Sequence, residues 1–255
     1  MIEVLNGLSY FIATFVFGIM YQQMYMKKVF TILLLSILGL WTFGQELDRT
    51  FYLLGSLEDY MGRHYPKNNP KQWGYILILH QQRIGEIKRI EEITGSKFSR
   101  MKKRKDCRNC HEFFILKSFC LAREINSFYN FTKMKEWKDL LGFAFFNGQL
   151  ECDKVLNATH KHQISFLAGQ FLTAGEKTEK GYRLSLYNSP KRYECLIKLL
   201  ESLNCKINTK EVKKGIPVSF VIEFEPTDEI IKILDNEILK EQTLTNSQPD
   251  ILTEN

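Results

Sequence analysis

Two apolar runs open the chain and set its first 45 residues apart from the rest. They span residues 8–20 and 29–43, with the polar stretch 21–28 between them. Each run is shorter than the ~20 residues that cross a bilayer, yet neither has the polar face of a helix that packs on a globular core. Residues 1–45 are therefore predicted to be a membrane-directed segment outside the globular domain.

Three interpretations of this segment stay open. Residues 26–44 have the charged start, apolar middle and small-residue exit of a secretory signal, which implies an exported protein. The two runs are also compatible with a membrane hairpin that tethers the protein. A third origin is an upstream membrane-protein exon fused in frame, and the protein would then belong in an organelle or the cytoplasm.

Behind this segment, the pattern of apolar residues occurs twice. Residues 75–82 alternate like a strand and lead into residues 84–93, whose isoleucines recur at helical spacing. Residues 182–188 lead in the same way into 190–203, at an offset of 107 residues between Tyr75 and Tyr182. The repetition predicts an internal duplication.

Two further segments follow the same order. Residues 113–116 match 220–223 at the offset of 107, and an apolar helix precedes each first strand, at 51–57 and 165–171, with an offset of 114. The fold class is predicted to be α/β (α+β), with two tandem pseudo-symmetric units of helix, strand, helix, charged strand, strand and helix. The predicted organisation is a hydrophobic segment 1–45, a first repeat 46–130, a helical linker 131–160 with a helix at 135–146, a second repeat 161–240 and a polar, frayed tail 241–255.

Basic residues concentrate in the predicted charged strand of both copies. The net charge of +6 suits a protein that binds nucleic acid or anionic lipid, but it is also common in proteins that bind neither. The distribution of the charge along the chain is therefore more informative than its total. Phosphate contacts need only positive charge and reach, and a basic strand in each half suits a symmetric groove over DNA or RNA. The alternative is a solvated hairpin or one that lies on a membrane. The candidate nucleic-acid-binding residues are Lys97, Arg100, Lys102, Lys103, Arg104, Lys105, Lys210, Lys213 and Lys214.

The helix of the second copy contains Leu167-Ala168-Gly169, with Gly175 six residues later. It resembles the motif of the LAGLIDADG proteins, in which two such units pack through their first helices and hold a curved sheet over DNA. Leu53-Leu54-Gly55 of the first copy is similar, although Met61 stands where the closing glycine belongs. The spacing is closest to the WhiA-type regulators, whose domain of this fold binds without cutting. The resemblance implies a helix interface at Leu54, Gly55, Ala168 and Gly169, where small residues let two backbones approach.

The resemblance also implies what is missing. The nucleases of the family carry a carboxylate at the eighth motif position of each helix, where it holds a divalent metal against the scissile phosphates. Those positions are Tyr60 and Ala174 here. Glu58 and Asp59 would point about 100° or more away around the helix. No catalytic residue and no metal are therefore expected.

The six cysteines permit disulfides whose connectivity the sequence leaves open. Cys107, Cys110 and His111 spell the pattern of c-type haem attachment and are weak candidates for a metal. Their lysine-rich surroundings favour a hairpin disulfide or two inert thiols instead, so no cofactor is expected. His160 and His162 are interpreted as surface residues at the start of a helix.

Two classes of function remain. The first is a catalytically inactive, LAGLIDADG-like protein that binds DNA or RNA, favoured by the repeat and the two basic strands. The second is an exported or membrane-tethered α/β protein with a ligand other than nucleic acid, favoured by the signal-like segment from Met26 and the even cysteine count.

Overall fold

The computed structural model describes residues 46–57, 63–66, 75–78, 84–101, 113–131, 137–138 and 144–247. In this part the helices are α1 (Arg49–Ser56), α2 (Ile84–Thr94), α3 (Phe119–Asn126), α4 (Cys152–Leu156), α5 (His160–Ala174), α6 (Pro190–Ser202) and α7 (Asp228–Asn246). The strands are β1 (Arg63–Pro66), β2 (Tyr75–Ile78), β3 (Ser99–Met101), β4 (Phe113–Lys117), β5 (Tyr129–Asn130), β6 (Trp137–Lys138), β7 (Ala144–Leu150), β8 (Gly175–Thr178), β9 (Gly181–Tyr187), β10 (Lys206–Lys213) and β11 (Ser219–Glu225). This mixture of helix and sheet confirms the predicted α+β class.

The membrane-directed segment predicted at residues 1–45 lies outside the described residues. In the part of the chain that the structure describes, no helix combines the length and the apolarity needed to cross a bilayer.

The C-terminal sheet has the antiparallel order β10-β11-β9-β8. Buried and partly exposed side chains alternate along β9 and β11, with Leu184 and Ile222 wholly buried. Because side chains alternate between the faces of a strand, one face of this sheet packs on α5 and α6. The opposite face, here called the open face, presents the residues between them, such as Arg183 and Glu223.

The N-terminal sheet has the order β2-β4-β3, with β4 in the place that β11 takes between β9 and β10. Tyr75 lies opposite Lys117, and Tyr182 lies opposite Phe224. Both members of the second pair stand 107 positions after those of the first. The described strands thus pair alike in the two halves, as a duplication requires, while superposition of complete units stays a prediction.

The third sheet corrects the helix predicted at residues 135–146. In its described part this segment is β-structure, because Phe145 of β7 lies between Pro66 of β1 and Trp137 of β6. These long-range pairings override the helical spacing of the apolar residues. The linker does contain a helix, but it is the short α4.

The predicted frayed tail is also wrong over residues 241–246, which form the end of α7. Glu241 is buried there, and its carboxylate accepts a hydrogen bond from Thr245 at 2.9 Å. The helix continues because Gly85 of α2 lets α7 come close. A Cβ on Gly85 would stand 2.4 Å from the carbonyl oxygen of Glu241. Residues 248–255 lie outside the described residues.

Candidate nucleic-acid interface

The packing of α1 on α5 is centred on two glycines. A Cβ on Gly55 would stand 2.0 Å from the carbonyl oxygen of Phe166, and a Cβ on Gly169 would stand 2.0 Å from that of Tyr52. The two contacts are reciprocal, since equivalent residues of the two helices are 114 positions apart. A side chain at either glycine would force the helices apart, because protein interiors have no spare volume.

The structure brings together all four residues that the sequence assigned to this interface. Leu54 and Ala168 are wholly buried beside the two glycines. The start of α1 is capped as well: the Asp48 carboxylate accepts hydrogen bonds from the backbone N–H groups of Thr50 and Phe51, at 3.0 and 2.9 Å. These caps stabilise α1, which at 8 residues is short for an isolated helix.

A buried polar cluster joins the helix pair to α2 and α7. Arg89 donates to both carboxylate oxygens of Glu237, at 2.8 and 2.6 Å, and the Tyr52 hydroxyl donates to the same carboxylate at 2.5 Å. Burial raises the pKa of Tyr52, and the charge of Glu237 raises it further. Burial alone would lower the pKa of Arg89, but its hydrogen bonds with Glu237 raise the pKa above the ordinary value. The cluster therefore holds a neutral phenol and a charged pair.

Arg192 of α6 reaches the other end of α1. Its guanidinium donates to the carbonyl oxygens of Leu54 and Gly55 at 3.2 to 3.3 Å and to the Gln170 side-chain oxygen at 2.9 Å. A cation stabilises the carbonyl end of a helix, where the last backbone oxygens lack helical partners. Arg192 thus fixes the end of α1 on which the LAGLIDADG resemblance places catalytic carboxylates.

At that end, the position expected to carry a metal ligand in the second helix is Ala174, the last residue of α5. Its methyl group offers no oxygen. The next acidic residue, Glu176 on β8, accepts a salt bridge from Arg183 at 2.9 Å. The equivalent position in the first copy, Tyr60, lies outside the described residues.

The middle of the open face is neutralised by its own side chains. Arg183 lies between Glu176 and Glu223, and its bonds to Glu223 measure 2.6 and 3.0 Å. Thr209 donates to the second oxygen of Glu223 at 3.1 Å. These bonds lower the pKa of Glu223, chiefly through Arg183. A polyanion would therefore gain little from this row of side chains.

The lysines predicted on β10 point to two different faces. Lys210 lies opposite the buried Ile222 and bonds to Glu201 of α6 at 2.8 Å, on the helix side of the sheet. Lys213 lies opposite Ser219, on the open face, and Lys214 follows it, exposed, in the hairpin. Alternation along the strand separates Lys210 from the other two.

Only part of the first basic strand is described. Lys97 is exposed, and its ammonium group lies 3.3 Å from Glu91. Arg100 is on β3 opposite Phe114. The other predicted residues of this group lie outside the described residues, namely Lys102, Lys103, Arg104 and Lys105.

The cysteine candidates Cys107 and Cys110, with His111, lie outside the described residues as well. Elsewhere, Cys152 of α4 and Cys195 of α6 form a disulfide across 43 positions of sequence. His160 is the first residue of α5, as predicted, and lies 3.1 Å from Glu229. His162 stacks on Phe51, with 4.4 Å between ring centroids.

Sequence reasoning missed the three ionic residues that position the helices: Arg89, Arg192 and Glu237. Each is nearly inaccessible to solvent. In the sequence, these three residues resemble the charged residues that normally occupy the solvent-exposed face of a helix. The available signal was their alignment with the apolar face of their helices, since Arg192 stands four residues before Leu196 in α6 and Glu237 stands three residues after Leu234 in α7.

No protein-family model and no curated protein matches the chain. Among solved structures, the chain is similar to I-DmoI in complex with DNA and calcium, at 16% identity over 74% of this chain and 87% of the other, with a TM-score of 0.47. It is also similar to I-DmoI bound to nicked target DNA with manganese, at 15% identity, 79% and 97% coverage and a TM-score of 0.45. Mesophilic variants of the homing endonuclease I-DmoI match at 18% identity, 78% and 96% coverage and a TM-score of 0.44.

These proteins are LAGLIDADG homing endonucleases, the family that the helix pair resembles. Two features of this chain define its fold: the reciprocal contacts of Gly55 and Gly169 and the strand register shared by the two sheets. On those features, the described part of the chain contains a LAGLIDADG-like core, in which two crossed helices accompany two antiparallel sheets of matching register.

Proposed function

We propose that this chain binds a nucleic-acid duplex through the open face of its C-terminal sheet and the equivalent face of its N-terminal sheet, and that it lacks nuclease chemistry. The observation that carries the proposal is the reciprocal glycine crossing of α1 and α5, combined with the common register of the two sheets. Two sheets related by an approximate twofold axis, as the duplication predicts, would match the approximate twofold symmetry of the duplex backbones.

The charge distribution favours contact at the β10 side of the open face. Lys206 and Lys213 both lie on that face, each in an exposed pair with a single carboxylate, Glu225 at 3.1 Å and Glu211 at 3.4 Å. The exposed Lys214 extends the face into the hairpin. Lysines of this kind bind phosphates without regard to sequence. The central row around Arg183 contributes little to affinity, because its carboxylates already satisfy the guanidinium.

Ala174, the last residue of α5, supports the absence of nuclease chemistry. A metal-dependent phosphodiesterase of this fold needs an oxygen ligand from each helix, and an alanine methyl group cannot replace a carboxylate. Purified protein with magnesium is therefore expected to leave bound DNA intact. Site-specific nicking abolished by a substitution near the α1–α5 ends would contradict this part of the proposal.

Binding is tested by the salt dependence of affinity for a short duplex. The slope of log affinity against log salt is negative, and each lost phosphate contact lowers its magnitude by about 0.9. Lys213→Ala and Lys214→Ala should each lower it by about that amount, and joint replacement of Arg100, Lys102, Lys103, Arg104 and Lys105 by alanine should lower it further. Lys210→Ala is the matched control, since Glu201 holds that lysine on the helix side, and it should leave the slope unchanged. The proposal fails if the unaltered protein shows no salt-dependent binding at low ionic strength.

A further inference from the structure

The hairpin between β10 and β11 presents a fully exposed aliphatic side chain. Residues 214–217, here called the hairpin tip, include Ile216, whose relative exposure is 105%. The base of the hairpin is fixed to the end of β9. The Asn188 backbone N–H donates to the Val218 carbonyl at 2.8 Å, and the Val218 N–H donates to the Asn188 side-chain oxygen at 2.9 Å. The exposed isoleucine therefore lies in a hairpin whose base is held by two hydrogen bonds.

Asn188 can make both bonds because its φ is +48°, in the left-handed region that asparagine tolerates better than most residues. Its two bonds satisfy the polar groups at the base of the hairpin. A loop that needed Ile216 for its own packing would bury it, but here the packing is complete without that side chain.

Exposed apolar side chains cluster at this end of the sheet. Six large hydrophobic residues are well exposed in the described part of the chain, and Tyr187 and Ile216 are two of them. A third, Val212, lies opposite the buried Phe220 and therefore points to the helix side of the sheet. Tyr187 lies opposite Ser219 on the open face, and Ser219 in turn lies opposite Lys213. Single exposed hydrophobic residues need no explanation, but an aromatic ring, one protruding aliphatic side chain and two lysines together form a surface with a defined chemistry.

That chemistry matches a nucleic acid whose bases are accessible. Lysines contact phosphates, aromatic rings stack on bases, and aliphatic side chains enter between base pairs and unstack them. A lipid surface would demand a wider apolar area than one isoleucine at a tip supplies. The mixture of one protruding aliphatic residue with adjacent lysines therefore favours nucleic acid.

We propose that Ile216 is an apolar wedge that enters a base step of bound duplex, while Lys213 and Lys214 hold the flanking phosphates. This inference rests on the proposed nucleic-acid binding and adds to it a mode of recognition. A wedge opens a step at a cost in stacking, so sites that unstack readily are favoured over stiff ones. Selectivity would then arise from deformability, without a hydrogen bond to a base edge.

The test compares the affinity of the full chain for an intact duplex and for the same duplex with a small mismatched bubble. Because the bubble has no stacking to break, the unaltered protein should bind it about tenfold more tightly. Ile216→Ala should reduce that preference to less than about twofold, and Ile216→Leu should retain it. The matched control is Leu239→Ala, which removes an exposed aliphatic residue from α7 and should change nothing.

A fluorescent purine analogue beside the preferred step supplies a second readout, since its emission rises when the base is unstacked. The emission should rise with the unaltered protein and not with Ile216→Ala. Equal affinity for both duplexes, or an unchanged preference in Ile216→Ala, would overturn the wedge while leaving nucleic-acid binding intact.

Two other results distinguish a failure of the wedge from a failure of the proposed nucleic-acid binding. If the unaltered protein binds neither duplex, the proposed function itself is wrong, and the wedge with it. If it binds vesicles of anionic phospholipid through Ile216 and binds no duplex, the hairpin tip is a lipid contact and the inference is overturned.

Discussion

Arg89 and Glu237 form a two-pronged ion pair, with atoms 2.6 and 2.8 Å apart, although 148 positions separate them in the chain. The pair is almost inaccessible to solvent and joins α2 to α7. Because α2 belongs to the first half and α7 to the second, the pair fastens one half to the other.

The first prediction concerns this pair. Glu237→Gln leaves the buried Arg89 without a counter-charge, so the free energy of unfolding should fall by about 3–5 kcal/mol. Replacing both residues by methionine should recover much of the loss, because it removes the desolvated charges together. Urea unfolding followed by circular dichroism measures both. If the double methionine variant were no more stable than Glu237→Gln, the ion pair would contribute more to the free energy of unfolding than apolar side chains packed in its place.

The second prediction concerns the glycine crossing. Gly55→Ala and Gly169→Ala should each lower the free energy of unfolding by about 3 kcal/mol or more, at the upper end of overpacking costs, since each methyl group meets a backbone oxygen that cannot move alone. Gly215→Ala is the control, because its Cβ would stand 3.3 Å from the Pro217 carbonyl oxygen in an exposed hairpin. Equal tolerance of all three substitutions in thermal unfolding would contradict the close approach of α1 and α5.

The third prediction concerns pH. Burial acts to raise the pKa of Glu91, but the Phe98 backbone N–H, which donates at 2.8 Å, and nearby lysines lower it below its ordinary value of 4.5. A carboxyl group whose pKa is lower in the folded state stabilises the fold above its unfolded pKa. That contribution disappears as the pH falls through the lowered folded pKa.

The unfolding free energies of the unaltered protein and Glu91→Gln should therefore differ most above a pH of about 4.5 and converge in more acidic solution. Urea titrations at a series of pH values measure the difference. Glu194→Gln, which removes an exposed pair with Lys191 in α6, should show a smaller difference throughout. A gap between the unaltered protein and Glu91→Gln that widens on acidification would reverse the assigned sign.

The fourth prediction concerns thiol reactivity. Burial raises the pKa of Cys205 to about 11, whereas Cys120 is exposed. Because the thiolate is the reactive form, iodoacetamide at mildly alkaline pH should label Cys120 in the native protein and leave Cys205 unlabelled until denaturant is added. Mass spectrometry of peptides reports each site. Equal native labelling of both would show that Cys205 is more accessible than the structure indicates.

Much of the fold could be predicted because local pattern and tertiary structure agree in the second half. The alternation along β9 and β11 and the helical spacing of α6 predicted these elements correctly. The apolar face that each pattern predicts is the face that is buried in the fold. The offsets of 107 and 114 residues reappear as a strand register and as a helix crossing. Both offsets could be read from the sequence alone, without any knowledge of which residues are in contact.

The errors arose where distant partners decide the structure. Residues 144–150 are a strand because β1 and β6 pair with them, and the end of α7 is ordered because α2 receives it. Neither partner is visible in a local window. Among candidate site residues, Lys210 illustrates a related limit: the sequence indicates a basic strand, but only register tells which face each lysine occupies.

The close crossing of α1 and α5 suggests how a chain with two similar halves arises. A polypeptide holding only residues 144–247 would leave the apolar stripe of α5 uncovered around Gly169, with no α1 to fill it. We expect that fragment to associate with a second copy of itself, glycine against glycine, as an obligate homodimer. Fusion of two such protomers would then free each half to diverge, and one half could lose residues that symmetry had forced both to keep.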